Sequence, residues 1–362
     1  MTAPSSPTRR RLPLLLRAVA YLALAVVGLT MLMPFVWMIS TSLKAPSYAI
    51  EFPPRWIPSE PATVDIAGQT CRVATLADDP DVRVALLRYS PRGVRVQVIS
   101  PASRAGEQAL LSESSLLPLR QVKFHWENYR DAWRAQGVKV TDALLGLLPR
   151  ADGFLVFYLN SILVSICVTL GTVFTSSLAA FAFARLRFPG RDSLFVGYLA
   201  TLMVPSIVIM LPVYALLSQL RMTNTYSALI FPVMFSAYGT FLLRQFFLTI
   251  PRELEDAAVI DGASPFAVYR YIILPLSKPA LATLTTFAFL HCWNDFLWPL
   301  MVVDRLALKT LPIGLAHFQD SYTTDYHLLM AASVIVMVPV LLVFLLGQRY
   351  FVRGIALSGL KG

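Results

Sequence analysis

The polar groups of this chain that could do chemistry stand inside long apolar stretches. His291, Asn294 and Asp295 fall at i, i+3 and i+4, beside Phe287, Trp293 and Trp298. On a helix that spacing puts an imidazole, an amide and a carboxylate on one face. An ionisable residue within a membrane is costly and marks a functional site by default. Carboxylate, amide and flat aromatic faces suit a polyhydroxylated ligand; the same trio also suits a network that only joins helices or holds a neighbouring subunit. A second row, Ser161, Ser165, Thr169, Thr172 and Ser176, recurs at intervals of 4, 4, 3 and 4. Such a stripe offers hydrogen bonds to a polar ligand moving along the helix, or small residues for close helix packing. A third group is charged: Pro251-Arg252-Glu253-Leu254-Glu255-Asp256-Ala257-Ala258, followed by Asp261-Gly262 and Ser264-Pro265. No lysine follows a glycine, so the phosphate-cradling G-K-[ST] sequence is absent. His125, His317 and His327 have no metal-ligand spacing, and Cys71, Cys167 and Cys292 offer neither a disulfide framework nor a zinc site.

These groups must be positioned by membrane spans. Of the 362 residues, 56 % are hydrophobic and only 14 % charged, with a mean hydropathy of +0.61; soluble domains hold roughly 25 % charged residues. A soluble enzyme, a disordered chain and a nucleic-acid binder are all disfavoured, despite a net charge of +10. A bilayer core needs ~20 consecutive apolar residues per helix. Six stretches qualify: Leu14–Ser40, Phe154–Ala184, Leu194–Leu217, Thr225–Phe247, Ala280–Val303 and Leu328–Phe351. The first follows Arg9-Arg10-Arg11 and is too long for a signal-peptide core, so it reads as an uncleaved span. Both termini then share one side. Its segments carry fourteen cations, Arg9–Arg11, Arg17, Arg185, Arg187, Arg191, Arg244, Arg252, Arg270, Lys278, Arg349, Arg353 and Lys361, against Arg221, Arg305 and Lys309 in the two short opposite loops. By the positive-inside rule both termini are cytoplasmic. Pro205, Pro212, Pro232, Pro299 and Pro339 lie within or near the spans, where lost backbone donors require neighbouring helices or a wet cavity. Broken helices suit a transporter, although kinks also serve packing alone.

Residues 45–153 form a polar, proline-rich extracytoplasmic loop. Val82–Tyr89 and Val94–Ile99 flank Ser90-Pro91-Arg92-Gly93, and Val94, Val96 and Val98 alternate with Arg95 and Gln97. That is a hairpin pattern. Thr70–Leu76 is a candidate third strand, and a sheet this small must rest on the bundle or on a partner.

Between spans four and five, a first-turn proline and three acids open a short helix. Gly262 stops it, and Ser264-Pro265 caps the next. Phe266, Tyr269, Ile272 and Ile273 form an apolar stripe on a segment too short and charged to cross. The stripe suits a groove on a partner, or packing back on the bundle or headgroups.

This segment resembles the EAA loop of ABC importer permeases, E-A-A-x3-G-x9-I-x-L-P. Here it reads Asp256-Ala257-Ala258, Gly262, Ile272, Leu274, Pro275, with every spacing kept and aspartate in place of glutamate. More of the chain is similar to the carbohydrate-type branch, especially the smaller membrane subunit of maltose-type systems: Trp37–Lys44, Pro53–Pro58, Glu127-Asn128-Tyr129, Asn160-Ser161, Trp293-Asn294-Asp295 and Gly354–Gly362. Residues 63–122 depart from that pattern. The resemblance implies an all-α membrane protein with six transmembrane helices of the ABC importer permease type, carrying a small β-containing extracytoplasmic insertion. Its parts would be 1–44, the first span; 45–153, the outer loop; and 154–362, the permease core with its coupling loop at 248–278. It implies a non-enzymatic transport subunit in a bacterial or archaeal inner membrane, moving a carbohydrate or polyol. The implied partners are a second permease subunit, an extracytoplasmic binding protein and two ATPase subunits. ATP and Mg would sit on the ATPases, with no cofactor on this chain. The coupling residues would be Glu255, Asp256, Ala257, Ala258, Asp261, Gly262, Ile272, Leu274 and Pro275; the path candidates are Ser161, Ser165, Thr169, His291, Trp293, Asn294 and Asp295. The rival readings are a stand-alone secondary transporter, which predicts intramembrane acids or inverted repeats, and a membrane-anchored sensor using the insertion.

Overall fold

The computed structural model describes residues 14–134, 139–143, 148–316, 318 and 325–358. Arg9–Arg11, His317 and the four residues after Ser358 lie outside them. The chain divides into two compact units, Met1–Asn128 and Tyr129–Gly362.

The first unit begins with α1 (Leu14–Ser42), which is apolar on every face. At ~1.5 Å per residue its 29 residues exceed the ~30 Å of a bilayer core. Leu15, Leu22, Leu29 and Met31 are all more than half exposed, a surface that only lipid or another apolar partner can cover. Eight short strands follow: β1 (Ser59–Pro61), β2 (Thr63–Ile66), β3 (Gln69–Leu76), β4 (Arg83–Ser90), β5 (Gly93–Ser100), β6 (Gln108–Leu111), β7 (Leu116–Pro118) and β8 (Arg120–Val122). The order β2-β3-β4-β5-β6 makes one antiparallel sheet with β7 added on β3, and β1 pairs separately with β8. The β4–β5 hairpin is tighter than a four-residue linker, because Ser90 and Gly93 themselves pair across it. Gly93 is needed there: its φ is +136°, and a Cβ would lie 2.6 Å from the Leu111 carbonyl oxygen. Val84, Val94, Val96, Val98, Ala74 and Leu116 close a core within this unit. The sheet therefore has six strands and an interior of its own, where the sequence predicts three strands needing outside support. The strands it missed, β2, β6 and β7, are only three or four residues long; β2 alternates, but over too few residues to stand out, and β6 and β7 do not.

In the second unit, α2 (Glu127–Arg134) and the antiparallel pair β9 (Lys139–Ala143) and β10 (Leu148–Asp152) precede α3 (Gly153–Arg185), the central helix. Then come α4 (Arg191–Ala200), α5 (Ser206–Gln219), α6 (Tyr226–Ile230), α7 (Ala237–Leu248), α8 (Glu253–Ile260), α9 (Pro265–Val268) and a π-helical turn at Tyr269–Ile273. The chain continues through α10 (Leu274–Leu276), α11 (Lys278–Trp293), α12 (Leu297–Val302), α13 (Leu311–Ala316) and α14 (Tyr326–Ser358). Helix α3 packs along α7 and α11, and α11 along α14. The α3–α7 approach is close enough that a Cβ on Gly239 would meet Ser176 Oγ at 2.6 Å.

Among the described residues three helices are long and apolar enough to cross a membrane: Leu15–Ser42, Gly153–Arg185 and Tyr326–Arg349. Two bent pairs raise this to five, Arg191–Met203 with Ser206–Gln219 at 100° and Pro265–Leu276 with Lys278–Trp293 at 79°. The chain is thus mostly helical, with three long helices and several broken ones among the described residues, where the sequence predicts six spans interrupted by prolines. Prolines account for two of the breaks. Pro205 ends the run at Leu194–Leu217, and Pro232 divides Thr225–Phe247 into α6 and α7.

Candidate functional site

The segment 251–275 is built from its caps. Glu253, Glu255 and Asp256 occupy the first turn of α8, where negative charge faces the positive end of the helix dipole. At the other end, the Ala263 amide donates to Ala258 O at 2.9 Å and the Gly262 amide to Val259 O at 3.0 Å, the paired bonds of a Schellman stop. That stop requires a left-handed residue, and Gly262 has φ +84°. Ser264 Oγ accepts the Ala267 amide at 3.3 Å, and Pro265 opens α9. Two short helices thus meet at a turn set entirely by residue type.

Burial divides the segment into two faces. Val268, Tyr269 and Ile273 are buried in a core with Phe181, Leu243, Phe247 and Leu284; Ala258, Ala263, Ile272 and Leu274 pack against it. The Tyr269 hydroxyl lies 2.7 Å from Ser177 Oγ on α3. Leu254, Val259, Ile260, Phe266 and Tyr271 point outward, with Ile260 85 % exposed. Tyr269, Ile272 and Ile273 of the predicted stripe therefore pack back on the bundle, and the free apolar edge is made by Phe266 with Leu254, Val259, Ile260 and Tyr271. Asp256, Ala257, Asp261 and Pro275 are exposed beside that edge.

Glu255 turns inward. Its Oε1 is 2.9 Å from Nε of Arg185, the last residue of α3, whose side chain is only 3 % exposed. Arg185 Nη2 also donates to Phe247 O at 2.6 Å and Ile250 O at 2.7 Å. One guanidinium thereby joins the ends of α3 and α7 to the first turn of α8. Burial pushes the Glu255 carboxyl above its usual range, against the pull of Arg185 and Arg252. Sequence reading missed Arg185, because a basic residue closing a span reads as a topology signal.

The path candidates scatter. Ser161, Ser165, Thr169, Thr172 and Ser176 are all buried. Ser161 Oγ accepts the Leu311 amide at 2.7 Å, and Ser176 Oγ donates to Ser236 O at 3.4 Å. Trp293 is buried, stacked on Phe289 with centroids 5.5 Å apart and edge-on to Tyr158. Helix α11 ends at Trp293, so Asn294 caps it, donating to Leu290 O at 2.8 Å. Asp295 lies beyond the helix, and its Oδ1 accepts the Trp298 amide at 3.2 Å in the first turn of α12. Of the path candidates only His291 lines the described cavity of about 570 Å³, with Thr172 of the same hydroxyl row, Thr201, Ser206, Ser236 and Tyr238 as its polar neighbours. Among the described residues no group of three or more His, Cys, Asp or Glu side chains is placed to hold a metal ion.

Residues 171–357 match the family described as "Binding-protein-dependent transport system inner membrane component". The chain is similar to the arabinooligosaccharides transport system permease protein AraQ of Halalkalibacterium halodurans, 37 % identical over 61 % of this chain and 79 % of that protein. It is also similar to two sn-glycerol-3-phosphate transport system permease proteins UgpE. The one from Pectobacterium atrosepticum is 40 % identical over 64 % of this chain and 79 % of its own length. The one from Brucella abortus strain 2308 is 38 % identical over 70 % and 86 %. Its fold resembles a chain from the crystal structure of a bacterial ABC transporter involved in import of the acidic polysaccharide alginate. That match has a TM-score of 0.64 and 17 % identity, and covers 97 % of this chain and all of the other.

Proposed function

The chain belongs to the family of binding-protein-dependent transport system inner membrane components, and from that premise we propose how its parts divide the work of an importer. It is a multi-pass inner-membrane permease subunit of an ABC importer. In the proposed arrangement the long helices, the bent pairs and the α6–α7 segment make six crossings with both termini cytoplasmic. A second permease subunit completes the path, two ATPase subunits dock beneath, and a binding protein delivers cargo from outside. ATP and Mg are bound by the ATPases.

One observation carries the coupling role: α8 and α9 present Leu254, Val259, Ile260 and Phe266 to solvent, while their other face is sunk in the bundle core. An apolar edge on a rigid, well-capped turn is what a helix-in-groove contact requires. Closure of the ATPase pair would push this turn, and Arg185 with the Tyr269–Ser177 contact would pass the push to α3. ATP shifts the bundle only as far as the ATPase pair prefers one arrangement. The cargo we infer is a carbohydrate or related polyol. The relatives named above carry arabino-oligosaccharides and sn-glycerol 3-phosphate, both polyhydroxylated, and the cavity beside His291 offers hydroxyl groups and aromatic faces suited to such molecules. Asp295 and Asn294 are proposed to keep the α11–α12 break in shape at the edge of that path.

The test is affinity recovery of the tagged chain from its native membrane, followed by uptake in proteoliposomes. An ATPase subunit should co-purify, and Gly262→Pro should abolish ATP-driven uptake, since proline cannot reach φ +84°. If no ATPase is recovered and uptake is unchanged by Gly262→Pro, the reading fails.

A further inference from the structure

The turn between α3 and α4 faces the start of α8 across a cleft of about 610 Å³, lined by Arg187, Arg191 and Arg252 with Phe188, Asp192 and Ser193. Three guanidinium groups from two segments, Arg187 and Arg191 on the α3–α4 turn and Arg252 before α8, line a space with one carboxylate. That carboxylate is already engaged: Asp192 Oδ1 is 2.9 Å from Arg191 Nε and 4.0 Å from Arg244 Nη2. Arg187 and Arg252 have no ion pair among the described residues. A basic cluster of this kind usually serves as a solvated, topology-setting surface. Here, however, the arginines enclose a volume and come from different parts of the chain.

We propose that this cleft binds the phosphate headgroup of an anionic phospholipid, resting on the membrane placement and cytoplasmic orientation given above. Guanidinium forks match phosphate oxygens in pairs; Arg187 and Arg252 offer theirs from two directions, while Arg191, whose fork is held by Asp192, adds positive charge beside them. The lipid source is favoured over a free anion by the surface next to the cleft. Phe188 lines it, and Leu194 and Val196 on α4 are 60 % and 66 % exposed, providing apolar surface for acyl chains. Basic pockets beside transmembrane helices on the cytoplasmic side recognise anionic lipids by this chemistry. A bound headgroup would bridge Arg187 and Arg191 to Arg252, the residue preceding α8, and so brace the coupling helix against the α3–α4 turn. The lipid would then act as a regulator of coupling.

Native mass spectrometry of the purified complex tests this directly, with the complex exchanged into phosphatidylglycerol or phosphatidylcholine. The wild type should retain phosphatidylglycerol in preference to phosphatidylcholine. Each arginine removed should weaken that preference roughly fivefold, so Arg187→Gln/Arg252→Gln should lose about 30-fold. Arg270→Gln, an exposed arginine outside the cleft, should keep it and serves as the folding control. Unchanged lipid preference in the double variant overturns the proposal. Displacement of the lipid by millimolar inorganic phosphate would overturn the lipid assignment and give the cleft to a free phosphate. Because the readout needs no transport, lost lipid preference with intact ATP-driven uptake is distinguishable from failure of the importer reading.

Discussion

Replacing Glu255 by glutamine tests the link between α8 and the bundle at one atom pair. Coulomb attraction at the observed 2.9 Å is about 6 kcal/mol for an effective dielectric of ~20. Desolvating the two ions costs several kcal/mol each, so the intact pair adds little net stability. Removing one partner is different, because it strands the other charge. Arg185 is 3 % exposed at its side chain and would keep only the Phe247 and Ile250 carbonyls. Breaking a buried pair costs roughly 3–5 kcal/mol. The lower end applies here, since those two carbonyls remain and Glu255 is itself 15 % exposed. A loss of about 3 kcal/mol should lower the midpoint of thermal unfolding by roughly 6–12 °C, followed by intrinsic tryptophan fluorescence in detergent. Hydrogen exchange at 253–260 should rise with it. The charge swap Arg185→Glu/Glu255→Arg should not rescue, because a carboxylate would then face two carbonyl oxygens. A midpoint within 1 °C of wild type for Glu255→Gln, or full rescue by the swap, refutes the three-way junction and leaves an ordinary surface ion pair.

Three further perturbations address other parts of the chain. Gly239→Ala places a Cβ 2.6 Å from Ser176 Oγ and 3.0 Å from Leu284 Cδ1, so Ser176 and Leu284 must turn away, at the cost of the Ser176–Ser236 bond, or the helices must part; the same thermal assay should show a loss of about 1–3 kcal/mol. Ile260→Asp alters a side chain 85 % exposed and should leave the melting midpoint of the isolated chain unchanged while reducing recovery of the ATPase subunit; equal recovery would place the docking edge elsewhere. The third concerns pH. Lys123 donates to Glu60 and holds its carboxyl below the usual range, with His125 adding to the effect. A depressed carboxyl stabilises the fold above its ordinary pKa, and that stability drains away as pH falls through the lowered value. Acidification below about pH 4.5 should therefore loosen the β1–β8 pair, read by hydrogen exchange at 59–61 and 120–122. Glu60→Gln should flatten that dependence.

Sequence alone located the parts of this chain whose signal is local. Helices α1, α3 and α14 follow from continuous apolar runs, and the α8–α9 turn follows from proline, acids, glycine and serine at cap positions. What failed was anything set by distant partners. Tyr269, Ile272 and Ile273 do recur at helical spacing, but periodicity identifies a face and says nothing of what covers it; the bundle does. Arg185 finds its carbonyls 62 and 65 residues away, and no spacing rule reaches that far. The His291, Asn294, Asp295 trio shows a different failure. Their i, i+3, i+4 relation assumes a continuous helix, and α11 stops at Trp293. Once it stops, Asn294 and Asp295 become cap residues of two successive helices, and only His291 faces the cavity.

The helix breaks that blur the count of spans also explain where the cavity lies. Thr201 and Leu202 stand before the 100° bend between α4 and α5, and Ser206 just after it. Val233, Phe235, Ser236, Ala237 and Tyr238 run through the interruption between α6 and α7. Most of the cavity wall is therefore chain at or beside a break. Backbone groups freed at membrane depth are tolerated only where protein or water satisfies them. Ser236 shows the protein share: its Oγ accepts the Gly239 amide at 3.0 Å, and its carbonyl accepts from Thr240 at 3.0 Å. A space bounded by such segments suits hydroxylated cargo, whose own donors and acceptors take the place of water as it passes. Broken helices and a polar-lined cavity are thus one feature, and a chain of six unbroken apolar helices would have neither.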